Sequence, residues 1–145
     1  MAKVDSKVLR IIDANLNRLK EGLRVCEDIC RFILDDKTLS KNYKEIRHKV
    51  SHALEKTLSS RSIIQARDIV RDVGKESVKL ELKRKDFQDI FIANIQRSKE
   101  SMRVIEEFYK LFDKEISQQF KALRYKIYDL EKKTAKKVQA LRHPG

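Results

Sequence analysis

Ala14-Asn15-Leu16-Asn17-Arg18-Leu19-Lys20-Glu21-Gly22-Leu23-Arg24-Val25-Cys26-Glu27-Asp28 returns in the second half of the chain as Ala93-Asn94-Ile95-Gln96-Arg97-Ser98-Lys99-Glu100-Ser101-Met102-Arg103-Val104-Ile105-Glu106-Glu107. A second block follows each copy: Tyr43-Lys44-Glu45-Ile46-Arg47-His48-Lys49-Val50 returns as Phe120-Lys121-Ala122-Leu123-Arg124-Tyr125-Lys126-Ile127. Two blocks recurring in the same order mean two copies of one helical hairpin. Two units are too few for a solenoid. The expected fold is all-α: a four-long-helix bundle of two repeated hairpins with internal pseudo-two-fold symmetry.

The rest of the chain fits that reading. Ile12, Leu16, Leu19, Leu23, Cys26, Cys30 and Ile33 fall at helical spacing, so the first helix is predicted from Val8 to Leu34. Asp5 or Ser6 can cap its start, and Asp35-Asp36 marks its end. A second helix is expected from about Leu39 to Leu58, a third from Asp86 to about Leu111 and a fourth from Lys114 to about Leu141. Lys132 to Lys137, rich in lysine, is expected to fray or to act as a linker. The pattern breaks between Ser59 and Lys85, leaving room for one short helix near Ile63 to Ile69. The organisation is therefore one helical domain over 1–145. Its first hairpin runs about 6–58, a connection about 59–85, and the second hairpin about 86–141.

With 145 residues, three glycines and one proline, little interrupts a helix. Cys26 and Cys30 lie on one apolar face with no partner set for a metal, which suits reduced core thiols and a cytoplasmic location. No signal peptide or membrane-spanning apolar run is seen. The net charge of +12 implies anionic partners. It is spread over all the helices, with no aromatic strand platform or metal finger, so neither nucleic acid nor a membrane is the expected partner.

On a helical wheel Asn15, Arg18, Gly22 and Val25 form one stripe, matched by Asn94, Arg97, Ser101 and Val104. Glycine in mid-helix costs about 1 kcal/mol relative to alanine, so something must approach Gly22 closely. A neighbouring helix is the commoner cause and a ligand the other. Glu21, Arg24 and Asp28 form the next stripe, matched by Glu100, Arg103 and Glu107. Such residues usually make surface ion pairs worth a few tenths of a kcal/mol. Their repetition in order argues for more. Arginine donates two parallel hydrogen bonds to phosphate, and carboxylates such as Glu21, Glu27, Asp28 and Asp72 can hold Mg²⁺ or take a proton from a hydroxyl. No Walker loop or other common catalytic motif occurs.

Ile12-Asp13-Ala14-Asn15-Leu16-Asn17-Arg18, then Glu21-Gly22-Leu23-Arg24-Val25, Glu27-Asp28 and Arg31-Phe32, resembles the opening of a small helical family of thiamin biosynthesis. Members of that family phosphorylate hydroxymethylpyrimidine phosphate to the diphosphate with ATP, alone or fused to the N-terminus of thiamine-phosphate synthase. Arg47-His48, Arg67-Asp68, Asp72-Val73-Gly74, Glu81 with Arg84, Ala93-Asn94 with Arg97, and Arg124-Tyr125 extend the resemblance over nearly the whole chain. Departures lie in Ile69-Val70-Arg71, in Lys75-Glu76 after Gly74, and at Cys26 and Ser98.

The resemblance implies ATP and Mg²⁺ as cofactors. It implies Arg18, Arg24 and Arg47, with Arg67, Arg84 and Arg97, for phosphates, and Asn15 and Asn17 for polar groups of the substrate. Glu21, Glu27, Asp28 and Asp72 are the catalytic candidates, and Arg67, Asp72 and Gly74 belong to a loop that can close over the site. Asn15, Arg18, Arg24 and Asp28 are expected to share one pocket with the 67–84 segment. The implied partners are a phosphorylated pyrimidine and a nucleotide, and thiamine-phosphate synthase is a candidate protein partner. A homo-oligomer is compatible with all of this. The rival expectation is a non-catalytic partner-binding or regulatory module associated with that synthase.

Overall fold

The computed structural model describes residues 4–76 and 83–142, and every element among them is helical. Helix α1 (Ser6–Asp28) runs on through a π-helical turn, Ile29–Ile33. Then come α2 (Lys37–Glu55), the short α3 (Ser60–Ala66), α4 (Phe87–Tyr109) and α5 (Lys114–Arg142). Glu81 lies outside the described residues.

Each helix begins where a side-chain oxygen can take one of the amide N–H groups that the first turn leaves unpaired. Asp5 accepts from Lys7 N at 2.7 Å, Asp36 from Leu39 N at 2.9 Å and Ser59 from Ser62 N at 3.1 Å. Asp86 accepts from Asp89 N at 2.9 Å, and Asp113 from Ile116 N at 3.0 Å. Between α1 and α2 the chain turns within the π segment. Leu34 N donates to Ile29 O at 3.0 Å and Asp36 N to Cys30 O at 2.8 Å. Asp35 takes a positive φ of 50°, a conformation that aspartate tolerates better than most residues.

One apolar cluster joins the long helices. Ile12, Leu19, Leu23 and Cys26 of α1 meet Tyr43 and Val50 of α2, Ile95, Met102 and Ile105 of α4, and Phe120 and Ile127 of α5. Helix α1 packs along α4 and α4 along α5, while α2 lies against both α1 and α5, and α3 folds back on α1.

Helices α1 and α4 approach closely at Gly22. A Cβ there would stand 2.3 Å from Ser98 Oγ and 2.7 Å from the backbone oxygen of Asn94. Helix α4 is therefore the close neighbour that the mid-helix glycine called for. A ligand is not, and Gly22 offers no support for a pocket.

Several boundaries differ from expectation; α2, for one, ends at Glu55 and not at Leu58. The segment Lys132 to Lys137 neither frays nor links: α5 continues through it to Arg142. Its lysines mask an inward stripe in which Thr134 and Val138 are buried. Thr134 Oγ1 lies 2.7 Å from Tyr43 OH, and Lys137 pairs with Asp36. The short helix stops at Ala66, before Ile69, because Arg67 is already extended (φ −62°, ψ 132°).

Candidate functional site

The buried acid Asp13 organises a groove of about 750 Å³ between α1 and the segment after α3. Arg67 donates to it twice, Nε to Oδ2 at 2.8 Å and Nη2 to Oδ1 at 2.7 Å. The two-pronged grip fixes the plane of the guanidinium as well as its place. Asn17 Nδ2 donates to Asp13 Oδ1 at 3.3 Å and to its backbone oxygen at 3.0 Å. Arg10 adds a bond to the Asp68 carbonyl at 3.3 Å. The 67–72 stretch is thus tied to α1 at two points, and Asn15, Asn17, Arg18, Glu21, Arg67 and Asp72 line one space. Asp72 also turns the chain back on itself, accepting from Gly74 N at 2.9 Å.

A second groove, about 490 Å³, lies farther along α1, between its C-terminal half, the π turn and α2. Arg24, Glu27 and Arg47 line it. Glu27, almost wholly buried, takes Arg47 Nε at 2.8 Å. Arg24 spans Glu27 at 3.9 Å and Asp28 at 3.7 Å from an exposed position, so those pairs add little stability.

The expected single pocket is therefore two grooves in succession. Asn15 and Arg18 line the first and Arg24 the second, while Asp28 stands beside Arg24 and lines neither. Helical geometry explains the split. Arg18 and Arg24 are six residues apart on α1, roughly 9 Å along the axis, with their side chains about 120° apart around it. Three other candidates are not brought in. Arg97 is exposed on α4, Gly74 is exposed at its turn, and exposed Arg84 bonds the carbonyl of its neighbour Lys83 at 2.7 Å.

The second half repeats these contacts at matched positions. Glu106 takes Arg124 Nε at 2.8 Å, as Glu27 takes Arg47. Arg103 reaches Glu106 at 3.7 Å and Glu107 at 3.3 Å, as Arg24 reaches Glu27 and Asp28. Asn94 donates to Ile90 O and Asn15 to Ile11 O, each at 2.8 Å. The clamp of Asp13 and Arg67 belongs to the first half alone: Asp13's counterpart is Ile92, an exposed apolar residue.

Sequence reasoning left Asp13 and Arg10 out of the site. The signal for Asp13 was present, as an acid set beside Ile12 on the apolar side of α1 and four residues before Asn17. Among the described residues no three His, Cys, Asp or Glu side chains gather as a metal cage, and no helix is long and apolar enough to cross a membrane.

The chain is 40% identical over 131 residues to thiamine-phosphate synthase of Thermosynechococcus vestitus, a match covering 90% of this chain and 36% of that protein. It is 38% identical over 125 residues to thiamine-phosphate synthase of Synechocystis, covering 86% of this chain and 35% of the relative. The thiamine-phosphate synthase of Rhodopirellula baltica is 36% identical over 130 residues, covering 88% and 34%. The chain thus spans about a third of the length of the curated relatives it matches. No solved structure matches. The ThiD2 family matches residues 10–133, from the second turn of α1 through most of α5. The chain belongs to the ThiD2 family.

Proposed function

We propose that this chain transfers the terminal phosphoryl group of ATP to hydroxymethylpyrimidine phosphate, giving the diphosphate, and that it does so on α1. The observation carrying this reading is the groove lined by Arg18, Glu21 and Arg67, in which Asp13, itself bonded by Asn17, holds Arg67. It offers cationic groups for a phosphate and amide groups for a polar ring.

The chemistry asks little more of the protein. The attacking atom is a phosphate oxygen of the acceptor, which forms a new bond to the γ-phosphorus of ATP. The bond from that phosphorus to its bridging oxygen breaks, and the electron pair leaves with ADP. A phosphate's second ionisation lies near pH 6, so the nucleophile is already an anion at neutral pH and no base need take a proton. Transfer then depends on alignment and on charge neutralisation.

On this reading the carboxylates act by position. Glu27 holds Arg47, Asp72 shapes the turn to Gly74, and Glu21 lies in the groove where it can take one metal position. Magnesium is usually held by phosphates and one or two carboxylates, so the absence of a three-carboxylate cage among the described residues fits its use. Bound to the phosphates, it neutralises part of their charge. The four long helices, with matched ion pairs in each half, also support an internal two-fold axis passing between α1 and α4 where Gly22 meets Ser98.

A second reading is a non-catalytic module that works beside thiamine-phosphate synthase. The names of the relatives, and the third of their length that the chain spans, support it more directly than they support the kinase. A coupled assay of ADP release, with and without hydroxymethylpyrimidine phosphate, separates the two. The kinase reading expects release only with the phosphorylated pyrimidine, and little with the free alcohol. Arg18→Lys, which keeps the charge and loses the fork, should lower turnover at least tenfold, about 1.4 kcal/mol. Glu115→Gln should change little. Protein that binds nucleotide yet releases no ADP puts the module reading ahead.

A further inference from the structure

The stripe of α1 that lines the first groove continues past Glu21 into a space of a different character. Arg24, Glu27 and Arg31 follow at spacings of three and four, and across from them α2 presents Lys37, Lys41, Lys44 and Arg47, again at three and four. Six basic residues and two acidic ones, Glu27 and Asp35, therefore line the second groove. Glu27 is already held by Arg47 at 2.8 Å.

Two features make this more than a solvated basic face. The first turn of α2 contributes Lys37 and no acid to the groove, and the capping carboxylate of Asp36 is already taken up by Leu39 N and Lys137. The π turn Ile29–Ile33 carries Arg31 at the same mouth, and such turns recur at functional sites. Gathering like charges around a concave surface raises the energy of the empty protein. An anion of several charges reverses the sign.

We infer that this groove holds the oligophosphate of a nucleoside triphosphate, its terminal phosphoryl group directed along α1 toward Glu21. The orientation rests on the kinase reading above, whereas the anion site does not. Glu21 and Arg24 are three residues apart, about 4.5 Å along the helix. The end of a chain of phosphates in the cationic groove would therefore point along α1 toward the groove that Arg18 and Arg67 line. Arg24 and Arg47 already meet carboxylates and Lys41 reaches Glu45 at 4.0 Å, which leaves Arg31, Lys37 and Lys44, more cations than a single phosphate would match. Lys37, Lys41 and Lys44 thereby gain a role that the sequence reading did not give them.

Isothermal titration of the intact chain with inorganic tripolyphosphate, and separately with ATP, tests the site. The double variant Lys41→Gln/Lys44→Gln alters two exposed side chains and should keep its helix content. It should bind both probes about tenfold or more weakly and leave affinity for hydroxymethylpyrimidine phosphate within about twofold. Arg18→Lys should do the reverse. Lys132→Gln/Lys136→Gln, on the exposed side of α5, removes the same charge elsewhere and should change little. Equal weakening in that control would mean general attraction and would overturn the site, as would wild-type protein that fails to bind tripolyphosphate. Turnover with an unchanged KM for ATP in the Lys41/Lys44 variant would sink this inference while the kinase reading stands. Tripolyphosphate binding that depends on Lys41 and Lys44, in protein without turnover, would keep the site and sink the kinase.

Discussion

Replacing Gly22 by alanine sets two effects of known size against each other. Alanine is favoured over glycine in mid-helix by about 1 kcal/mol, so propensity alone predicts a more stable protein. The added Cβ, however, meets Ser98 Oγ at 2.3 Å and Asn94 O at 2.7 Å. The serine oxygen can rotate away, losing its bond to Leu19 O at 3.3 Å in a site without solvent. The Asn94 oxygen is backbone and cannot, so α1 and α4 must separate by roughly half an ångström at this point. Forcing a methyl group into a packed interface costs about 1–3 kcal/mol, and a backbone contact this short belongs at the upper end. The net loss is about 2 kcal/mol. For a chain of this length that lowers the melting temperature by about 4–8 °C. Thermal unfolding followed by circular dichroism at 222 nm measures it. Adding Ser98→Ala should restore part of the loss, because it removes the oxygen at 2.3 Å and leaves the one at 2.7 Å. A Gly22→Ala protein that melts at or above the wild-type temperature would refute the close-packing account.

Glu106→Gln should leave the largely buried guanidinium of Arg124 without its carboxylate and cost about 3–5 kcal/mol in urea unfolding, whereas Glu27→Gln should cost less because the Arg47 side chain is more exposed. Equal and small losses would mean that water replaces both bridges. The buried thiols and phenols predict alkaline weakness. Burial pushes the Cys30 thiol up to about 11 and the Tyr109 hydroxyl up to about 12, and raises Cys26 and Tyr43 well above their usual values. These groups are neutral when protonated. The unfolded chain therefore releases thiol protons first, from about pH 9, while the folded chain keeps them to about pH 11. Stability is fully present below that window and falls as pH rises through it. The melting temperature should drop between pH 9 and 11, and iodoacetamide at pH 8 should label neither cysteine until the protein unfolds. Prompt labelling of the native chain would contradict the burial.

The starts of α1 and α4 were legible because each rests on one local signal, an aspartate whose oxygen reaches an amide two or three residues on, as Asp5 and Asp86 do. Asp36 does the same for α2 but reads in the sequence as the end of α1. The end of α5 was misread for the opposite reason. Lysines dominate the composition of Lys132 to Lys137, and the burial of Thr134 depends on Tyr43, far away in sequence. The repeat carried the matched pairs of Glu27 with Arg47 and Glu106 with Arg124, although no rule of spacing says which carboxylate each arginine will choose. The step of six from Arg18 to Arg24 likewise conceals that the two side chains line different grooves. Asp13 was hard to recognise because its partner, Arg67, arrives through an irregular segment whose path no periodicity describes.

The orientation of Asn17 has a consequence for the kind of molecule the first groove can recognise. Its amide nitrogen already donates within α1, to the Asp13 backbone oxygen and to the Asp13 carboxylate. What the side chain can still offer is its carbonyl oxygen, which only accepts. A ligand that Asn17 recognises must therefore bring an N–H or O–H of its own. A heterocycle bearing an amino group does so. The same ring carrying a keto oxygen in that place would set two acceptors against each other and be turned away.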